Sequence, residues 1–280
     1  MSQVIACIDG SAAADSVCEY AAWAASALKA PLMLLHVLDD DLYPTTPNLV
    51  GNLGLGSREH LLSELAELDA RRNRLALEQG QATLEAARAR LSAGGTPPPR
   101  LRQRHGNLLE AVKELEQDTR LLVIGKQGAS HPGPQRIGDN VERVIRAAAC
   151  PVLVGVGEFR VPASVMVAFD NAPTTRKGLG MIAESPLFRG VPCHLVTVNG
   201  AAGEADLASA VALLEAGGHQ VTAASLEGDV EAALHRYQQD HAIDMMVMGA
   251  YGHSRLREFL IGSTTERMLR QARVAHLVLR

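Results

Sequence analysis

The chain of 280 residues contains few aromatic side chains and has no strong excess of charge of either sign. Aromatic residues make up 3% of it and the formal net charge is −4. Proteins that bind single-stranded nucleic acid combine a basic groove with aromatic stacking platforms, so the composition argues against a nucleic-acid partner. The basic residues Arg71, Arg72 and Arg74 lie among acidic ones on an expected helix, and we interpret them as a solvent-exposed face.

Cysteine pairs and long apolar runs are also missing. The four cysteines form no C-x-x-C pair and lie in apolar surroundings, namely Cys7, Cys18, Cys150 and Cys193. This pattern argues against a disulfide framework and against a zinc site, so we expect reduced core thiols and no metal centre. No apolar run reaches the ~18 residues of a membrane span, and the first strand starts without a charged leader. We therefore expect a cytoplasmic protein without a membrane partner.

The two commonest nucleotide-binding fingerprints are missing as well. No G-x4-G-K-[ST] sequence is present, which excludes a P-loop, and no G-x-G-x-x-G follows the first strand.

A glycine-rich stretch near the C-terminus is the most informative segment that is present. The apolar run Met245–Met248 ends in Gly249, and further along come Gly252, Gly262 and the pair Ser263-Thr264. The pattern predicts a buried strand, a loop and a helix that begins with hydroxyl residues. Glycines, hydroxyls and unpaired amides at a helix N-terminus favour an anion, although a plain strand-to-helix turn is the alternative.

This stretch has a counterpart earlier in the chain. Residues 121–143 align without a gap on residues 245–267, at a constant offset of 124. Five identities fall in register: Gly125, Gly128, Gly138, Glu142 and Arg143 match Gly249, Gly252, Gly262, Glu266 and Arg267. Fixed spacing over this length indicates a tandem duplication.

The first copy carries an insertion between its second and third strands. Asp9 matches Asp170 at an offset of 161, whereas Gly106 matches Gly228 at an offset of 122, so about 39 residues are extra. They run from Asp39 to about Gly80, as a Pro/Gly-rich loop followed by a helical stretch from near Ser57. Leucines at helical spacing within it (Leu61, Leu62, Leu65 and Leu68) predict a longer helix that packs on the sheet.

Strands and helices alternate through both copies. Strands are expected near 3–9, 31–37, 100–105, 120–125 and 151–156, and near 164–170, 192–198, 219–225, 244–249 and 274–279. Apolar strands alternating with helices imply a parallel sheet covered on both faces. We predict two tandem doubly wound α/β domains, 1–157 and 158–280, each with a five-stranded parallel sheet. The last strand of each copy would leave an apolar edge, so we expect these two strands to pack together in a pseudo-twofold, dimer-like arrangement.

The spacing G-x2-G-x9-G-[ST], together with Asp170 at the end of a buried strand, resembles the universal stress protein family over essentially the whole chain. The resemblance implies the strand order 3-2-1-4-5 and a site for ATP, with or without Mg²⁺, or for another adenine nucleotide. It assigns adenine to Asp170, Val198 and the backbone of Ala168 and Phe169. It assigns ribose and phosphates to Gly249, Gly252 and Gly262, and the phosphates to Ser263 and Thr264. Met248 and His253, which adjoin these glycines, are further candidate nucleotide-binding residues. Two alternatives remain: Asp170 could cap the following helix, and His253 could be an exposed loop histidine without a role.

The first copy departs from this pattern at its phosphate end. It keeps Asp9, Val37, Gly125, Gly128 and Gly138, but Asp139 and Asn140 replace the two hydroxyl residues. A carboxylate ~4 Å from a phosphate at an effective dielectric of ~20 costs about 4 kcal/mol. We therefore predict a degenerate first site that is empty or holds a less anionic ligand.

Three functions are compatible with these features. The first is a nucleotide-dependent stress-response or regulatory module acting on a protein partner that the sequence does not identify. The second is a slow ATPase at the same site, and the third is an interaction scaffold without ligand. Phosphoryl transfer needs a held metal and a group that positions water, and no such set is evident from spacing, so we assign no catalytic residue. A further homodimer of the whole chain stays open.

Overall fold

The computed structural model describes residues 2–39, 55–128, 137–250 and 263–280. In the first half, the strands are β1 (Gln3–Cys7), β2 (Leu32–Leu38), β3 (Arg100–His105), β4 (Thr119–Gly125) and β5 (Val152–Gly155). The helices between them are α1 (Ala14–Leu28), α2 (Leu55–Ala93), α3 (Leu108–Leu115) and α4 (Asp139–Ala147).

The second half repeats this order. Its strands are β6 (Val165–Ala168), β7 (Cys193–Val198), β8 (Val221–Leu226), β9 (Met245–Gly249) and β10 (Ala275–Leu279). Its helices are α5 (Pro173–Glu184), α6 (Glu204–Ala216), α7 (Val230–Asp240) and α8 (Ser263–Arg270). Short 3₁₀ turns cover Glu116–Asp118 and Pro186–Phe188.

All ten strands form one sheet in the order β3-β2-β1-β4-β5-β10-β9-β6-β7-β8. Each half has the predicted order 3-2-1-4-5 with parallel pairing throughout, so the doubly wound α/β class is confirmed. The halves join where β10 pairs antiparallel to β5, with Leu277 opposite Leu153. This junction confirms that the two last strands pair with each other, and it removes two apolar edges that would otherwise be exposed.

Helices cover both faces of the sheet. One face carries α1, α2, α5 and α6, whose buried residues Val17, Leu84, Leu179 and Leu214 belong to one core cluster that spans both halves. The other face carries α3 and α4 over the first half and α7 and α8 over the second. Between the more exposed edge strands β3 and β8, the strands are largely apolar on both sides, so burial of their side chains holds the helices on either face.

The helical part of the insertion is continuous with the helix that follows it, and together they form α2, a helix of 39 residues of which not all packs. The predicted loop before it, and the side chains of Leu61 and Leu62, lie outside the described residues. Leu65 and Leu68 are 48% and 62% exposed, so the expectation that these leucines pack on the sheet was wrong. The packed side of α2 begins near Ala76 and continues through Gly80 and Leu84. A helix of this length spans ~58 Å, whereas a strand of seven residues spans ~23 Å, so the start of α2 extends beyond the sheet.

Gly80 allows the close approach of α2 to the sheet. A Cβ atom at Gly80 would lie 2.7 Å from Cε1 of His36 on β2 and 2.4 Å from Nε2 of Gln103 on β3. A larger residue at Gly80 would therefore have to displace the side-chain ends of Gln103 and His36 where the helix crosses these strands.

The four cysteines are buried free thiols, as their apolar surroundings predicted. Burial raises the pKa of Cys7, Cys18 and Cys193 to about 12 and that of Cys150 to about 11. Within the described ranges, no helix is long and apolar enough to cross a membrane, and no three metal-binding side chains cluster.

Candidate functional site

The candidate residues lie at the carboxyl edge of the sheet, where the strand order reverses in each half. In the first half β1 lies between β2 and β4, and in the second half β6 lies between β7 and β9. Crevices at such reversal points are the usual ligand sites of doubly wound sheets. The two copies therefore place two such reversal points on one continuous sheet, and we refer to these two positions as the first and second clefts.

In the second cleft, Asp170 directly follows β6 and holds the turn into α5. Its Oδ1 accepts hydrogen bonds from the backbone N of Ala172 at 3.1 Å and from Oγ1 of Thr175 at 2.7 Å. The alternative that Asp170 stabilises the start of the following helix therefore has direct support. Among the described residues, its second oxygen, Oδ2, accepts no hydrogen bond, so the carboxylate can serve both the turn and a ligand.

Asn171, which the sequence reasoning missed, continues this turn. It adopts a left-handed backbone with φ +61°, a conformation that asparagine tolerates better than most residues. Its Nδ2 donates to Oδ2 of Asp206 on α6 at 2.7 Å, and its Oδ1 accepts from Nε of Arg176 at 2.6 Å. The Asp-Asn pair directly after an apolar strand was a turn signal that could have identified this position.

The candidate adenine-binding residues at the strand ends of the second cleft are largely buried. Phe169, Val198 and Met248 are 3%, 5% and 4% exposed, so their side chains belong to the core. Ala168 and Gly249 are half-buried. That the backbone at these strand ends faces a flat ring stays a prediction.

A reciprocal pair of hydrogen bonds fixes the loops beside Val198. Nδ2 of Asn199 donates to the carbonyl of Gly228, and the backbone N of Gly228 donates to Oδ1 of Asn199, both at 2.8 Å. Asn199 has φ +53° and Gly228 has φ +106°, so both need unusual backbone conformations. The bridge holds the ends of β7 and β8 together at the rim of the cleft.

The helix at the phosphate end of the second cleft is α8, which begins at Ser263. Its buried Thr265 was also missed: Oγ1 donates to the carbonyls of Gly249 at 3.0 Å and Ala250 at 3.3 Å. Thr264 is half-buried. The predicted residues Gly252, His253 and Gly262, and the side chain of Ser263, lie outside the described residues.

In the first copy, the structure brings all six predicted residues onto one cleft of about 280 Å³, namely Asp9, Val37, Gly125, Gly128, Gly138 and Asp139. Oδ1 of Asp9 accepts from the backbone N of Ser11 at 3.0 Å. A Cβ at Gly128 would lie 2.9 Å from Oδ2 of Asp9, so glycine keeps the loop close to this carboxylate.

Carboxylates outnumber cations in the described lining of the first cleft. Among the residues that the structure describes, Asp9, Asp39 and Asp139 line it together with Arg143. Asp139 is solvent-exposed at the start of α4. Solvent screens an exposed charge, so its repulsion of a polyphosphate is weaker than the ~4 kcal/mol expected from the sequence.

Comparison with known proteins points to one family. The model of the universal stress protein family matches residues 1–155 and 198–280. A universal stress protein of Synechocystis sp. is 34% identical over 287 aligned positions, which cover 100% of both chains.

Two solved structures are similar over the full length. One is a universal stress protein from Archaeoglobus fulgidus, with a TM-score of 0.65, 18% identity and coverage of 99% of this chain and 95% of that one. The other is a functionally unknown protein from Pseudomonas aeruginosa, with a TM-score of 0.64, 17% identity and coverage of 100% and 92%. At these identities the two structures support the fold alone.

Proposed function

Because the chain belongs to the universal stress protein family, we propose that it is a cytoplasmic nucleotide-dependent regulatory protein that holds ATP, with or without Mg²⁺, in its second cleft. The two proposed domains are residues 1–157 and residues 158–280. The output of the bound state would be a change in how the chain contacts a protein partner.

The proposal rests on one observation. Asp170 follows β6 and helix α8 follows β9, and these two neighbouring strands flank the reversal point of the second half. Oδ2 of Asp170 can accept a hydrogen bond from the exocyclic amine of adenine, beside the backbone of Ala168 and Gly249. Helix α8 begins at Ser263, and its first amides favour phosphate oxygens. We propose that Ser263 and Thr264 add hydroxyl donors, and that Gly252, His253 and Gly262 complete the phosphate loop.

Exchanging residues between the two copies at the start of α4 and α8 tests this proposal. Calorimetric titration of the wild-type chain should show about one ATP per chain. Ser263→Asp places in the second copy the carboxylate that the first copy has at Asp139, and should weaken ATP binding more than tenfold. The double variant Asp139→Ser/Asn140→Thr should raise the number of bound ATP molecules toward two. Two equal sites in the wild type, or normal affinity in Ser263→Asp, would refute the assignment.

The first cleft, we propose, takes a ligand with less negative charge. Its open volume is about 280 Å³, and its described lining contains three carboxylates and one guanidinium. An unphosphorylated adenine nucleoside fits this charge better than ATP does. Titration of the Ser263→Asp variant with adenosine and with ATP should show tighter binding of adenosine, and the reverse preference would contradict the proposal.

We also propose that binding occurs with little or no turnover. Backbone amides and hydroxyls hold ground-state phosphates about as well as a transition state, so they lower the barrier little. A steady-state phosphate-release assay with magnesium should therefore stay far below the ~10 s⁻¹ typical of enzymes. A rate near that value, lost in Ser263→Ala or His253→Ala, would establish the ATPase instead.

A further inference from the structure

A pocket of about 290 Å³ lies where the two halves meet, and it shares no lining residue with the first cleft. We call it the junction pocket. Its apolar walls come from both halves: Leu28 and Leu121 from the first, and Leu187, Phe188 and Leu279 from the second. All five residues are at most 7% exposed, so they belong to the packed core. Ligand sites usually run from ~300 to ~1,000 Å³, so a pocket of this size suits a small ligand.

The matching place in the first copy is already covered. The duplication offset of 161 makes Tyr20 on α1 the counterpart of Met181 on α5. Tyr20 is 3% exposed, because the ring of Phe159, on the segment that joins the halves, packs edge-on at 4.9 Å. Met181 lines the junction pocket and is 38% exposed. An aromatic side chain thus covers in one half the helix position that is open in the other.

The polar residue beside this place has opposite charge in the two copies. At the offset of 124, Arg120 is the counterpart of Asp244. Oδ2 of Asp244 accepts hydrogen bonds from the backbone N of Ala163 at 2.9 Å and of Ser164 at 3.2 Å, and so holds the joining segment. Arg120 lines the junction pocket, and its Nη1 donates to the carbonyl of Leu28 at 3.1 Å. A guanidinium has five N–H donors in a fork that matches a carboxylate, so Arg120 can also hold an anionic group.

The junction pocket also favours a positive charge. Helices α1 and α5 both end at it, with Leu28 and Glu184 in its lining. The C-terminal end of a helix carries partial negative charge, and Glu184 adds a full charge in the last turn of α5, which contains no basic residue. Among the described residues, Glu184 forms no ion pair with Arg120 or with any other cation. The pocket therefore offers separate partners to an anionic and a cationic group.

We propose that the junction pocket binds a zwitterionic amino acid with an apolar or aromatic side chain. The side chain packs between the leucine walls, the carboxylate accepts hydrogen bonds from Arg120, and the ammonium lies beside Glu184 and the end of α5. An apolar acid without an ammonium would leave Glu184 without a partner. A polar side chain would be buried against the leucines without hydrogen bonds. This site is separate from the proposed nucleotide site and does not depend on it.

Calorimetric titration of the full-length chain with L-phenylalanine tests the ligand class. We expect a dissociation constant of about 10 μM to 1 mM, the range for a ligand of few atoms. Two analogues should each bind at least tenfold more weakly: 3-phenylpropanoate, which lacks the ammonium, and 2-phenylethylamine, which lacks the carboxylate. No binding of either L-phenylalanine or L-leucine would overturn the proposal. Equal affinity for 3-phenylpropanoate would also overturn it, because the ligand would then not need its positive charge.

Charge-neutral variants test the two polar partners. Arg120→Gln should weaken L-phenylalanine binding at least tenfold, since the carboxylate loses a charge-assisted hydrogen bond, but should leave 2-phenylethylamine binding unchanged. Glu184→Gln should weaken L-phenylalanine binding several-fold and leave 3-phenylpropanoate binding no weaker. The matched control is Lys177→Gln, which removes a positive charge from the exposed side of α5 outside the pocket. Equal losses in Arg120→Gln and Lys177→Gln would contradict the assignment.

Filling the pocket tests its location. Met181→Trp places a large ring at the position that Phe159 covers in the first copy, and should weaken L-phenylalanine binding at least tenfold. Leu213→Trp is the control, because Leu213 is 43% exposed on α6 and does not line the pocket. Wild-type affinity in Met181→Trp would place the ligand elsewhere and refute the junction pocket as the site.

Discussion

At the scale of single residues, His276 is the most constrained ionisable group in the sheet. It lies on β10 at the junction of the two halves and is fully buried. Its Nδ1 lies 2.8 Å from the carbonyl of Val274, while its Nε2 is buried without a hydrogen-bond partner. Burial, with smaller contributions from the nearby positive charges of His235 and Lys126, lowers the pKa of His276 to about 4, although the hydrogen bond to Val274 opposes this shift. The protein therefore holds a neutral imidazole here.

This predicts a loss of stability in acid. Because the folded pKa is about 4 and the unfolded value is 6.5, the unfolded chain binds more protons between these pH values. The contribution of His276 is fully present above pH ~6.5 and falls by up to ~3 kcal/mol as the pH drops to ~4. Urea unfolding from pH 8 to pH 4 should show a shallower decline for His276→Leu than for the wild type. Equal slopes would contradict the prediction.

At the scale of elements, the two helices at the phosphate ends are attached differently. The start of α8 is tied to the end of β9 by Thr265, whose hydroxyl bonds to two carbonyls. The matching position on α4 is Val141, which is 2% exposed and packs in the core. There the backbone N of Gly138 donates to the carbonyl of Lys126 at 3.0 Å instead. In the second copy, a side-chain hydroxyl thus helps to position the proposed phosphate site.

We predict that Thr265→Val weakens both stability and nucleotide binding. The change leaves the shape of the side chain nearly intact but removes the hydroxyl, which should cost about 1–2 kcal/mol in the free energy of unfolding. It should also lower ATP affinity several-fold, because the start of α8 loses its tie to β9. The control is Thr83→Val on α2, where the half-buried hydroxyl donates to the carbonyl of Gln79 within the same helix, and it should change both measurements little. Thr265→Val with wild-type affinity by calorimetry would show that Thr265 has only a structural role.

At the scale of the whole molecule, a side chain from each half donates hydrogen bonds to the C-terminal end of a helix in the other half. Nζ of Lys126, which follows β4, donates to the carbonyls of Arg270 and Ala272 at the end of α8, at 2.7 and 3.2 Å. Arg280 donates to the carbonyls of Arg146 at 2.8 Å and Ala148 at 2.5 Å, at the end of α4. Helix C-termini favour cations, so these contacts add to the β5–β10 pairing.

Because each half donates hydrogen bonds to a helix end of the other, we predict that the two halves unfold together. Calorimetry of the wild type should show one cooperative transition. Lys126→Met keeps most of the apolar stem but leaves two carbonyls without their donor, so it should lower the free energy of unfolding by about 2 kcal/mol. Lys113→Met, an exposed lysine on α3, is the control and should change it little. Two resolved transitions in the wild type would contradict the prediction.

Much of the fold follows from local patterns in the sequence. The bounds expected for β3, residues 100–105, are those observed, and β6 spans 165–168 where 164–170 was expected. Apolar runs between glycines are strong signals because burial on both faces and tight turns depend on neighbouring residues. The duplication predicted how the two halves join. A repeated unit that ends in an apolar edge strand needs another strand beside it, and the same chain provides the other copy.

The packing of side chains over long distances did not follow from the sequence. Periodicity showed that Leu65 and Leu68 share one side of a helix, but their exposure depends on α2 being longer than the strands beneath it. Thr265 and Lys126 have roles only because carbonyls 15 to 146 residues away lie within reach. The open first cleft likewise depends on where Asp139 points in space. Helices and strands form through local interactions, whereas these contacts exist only after the sheet brings distant segments together.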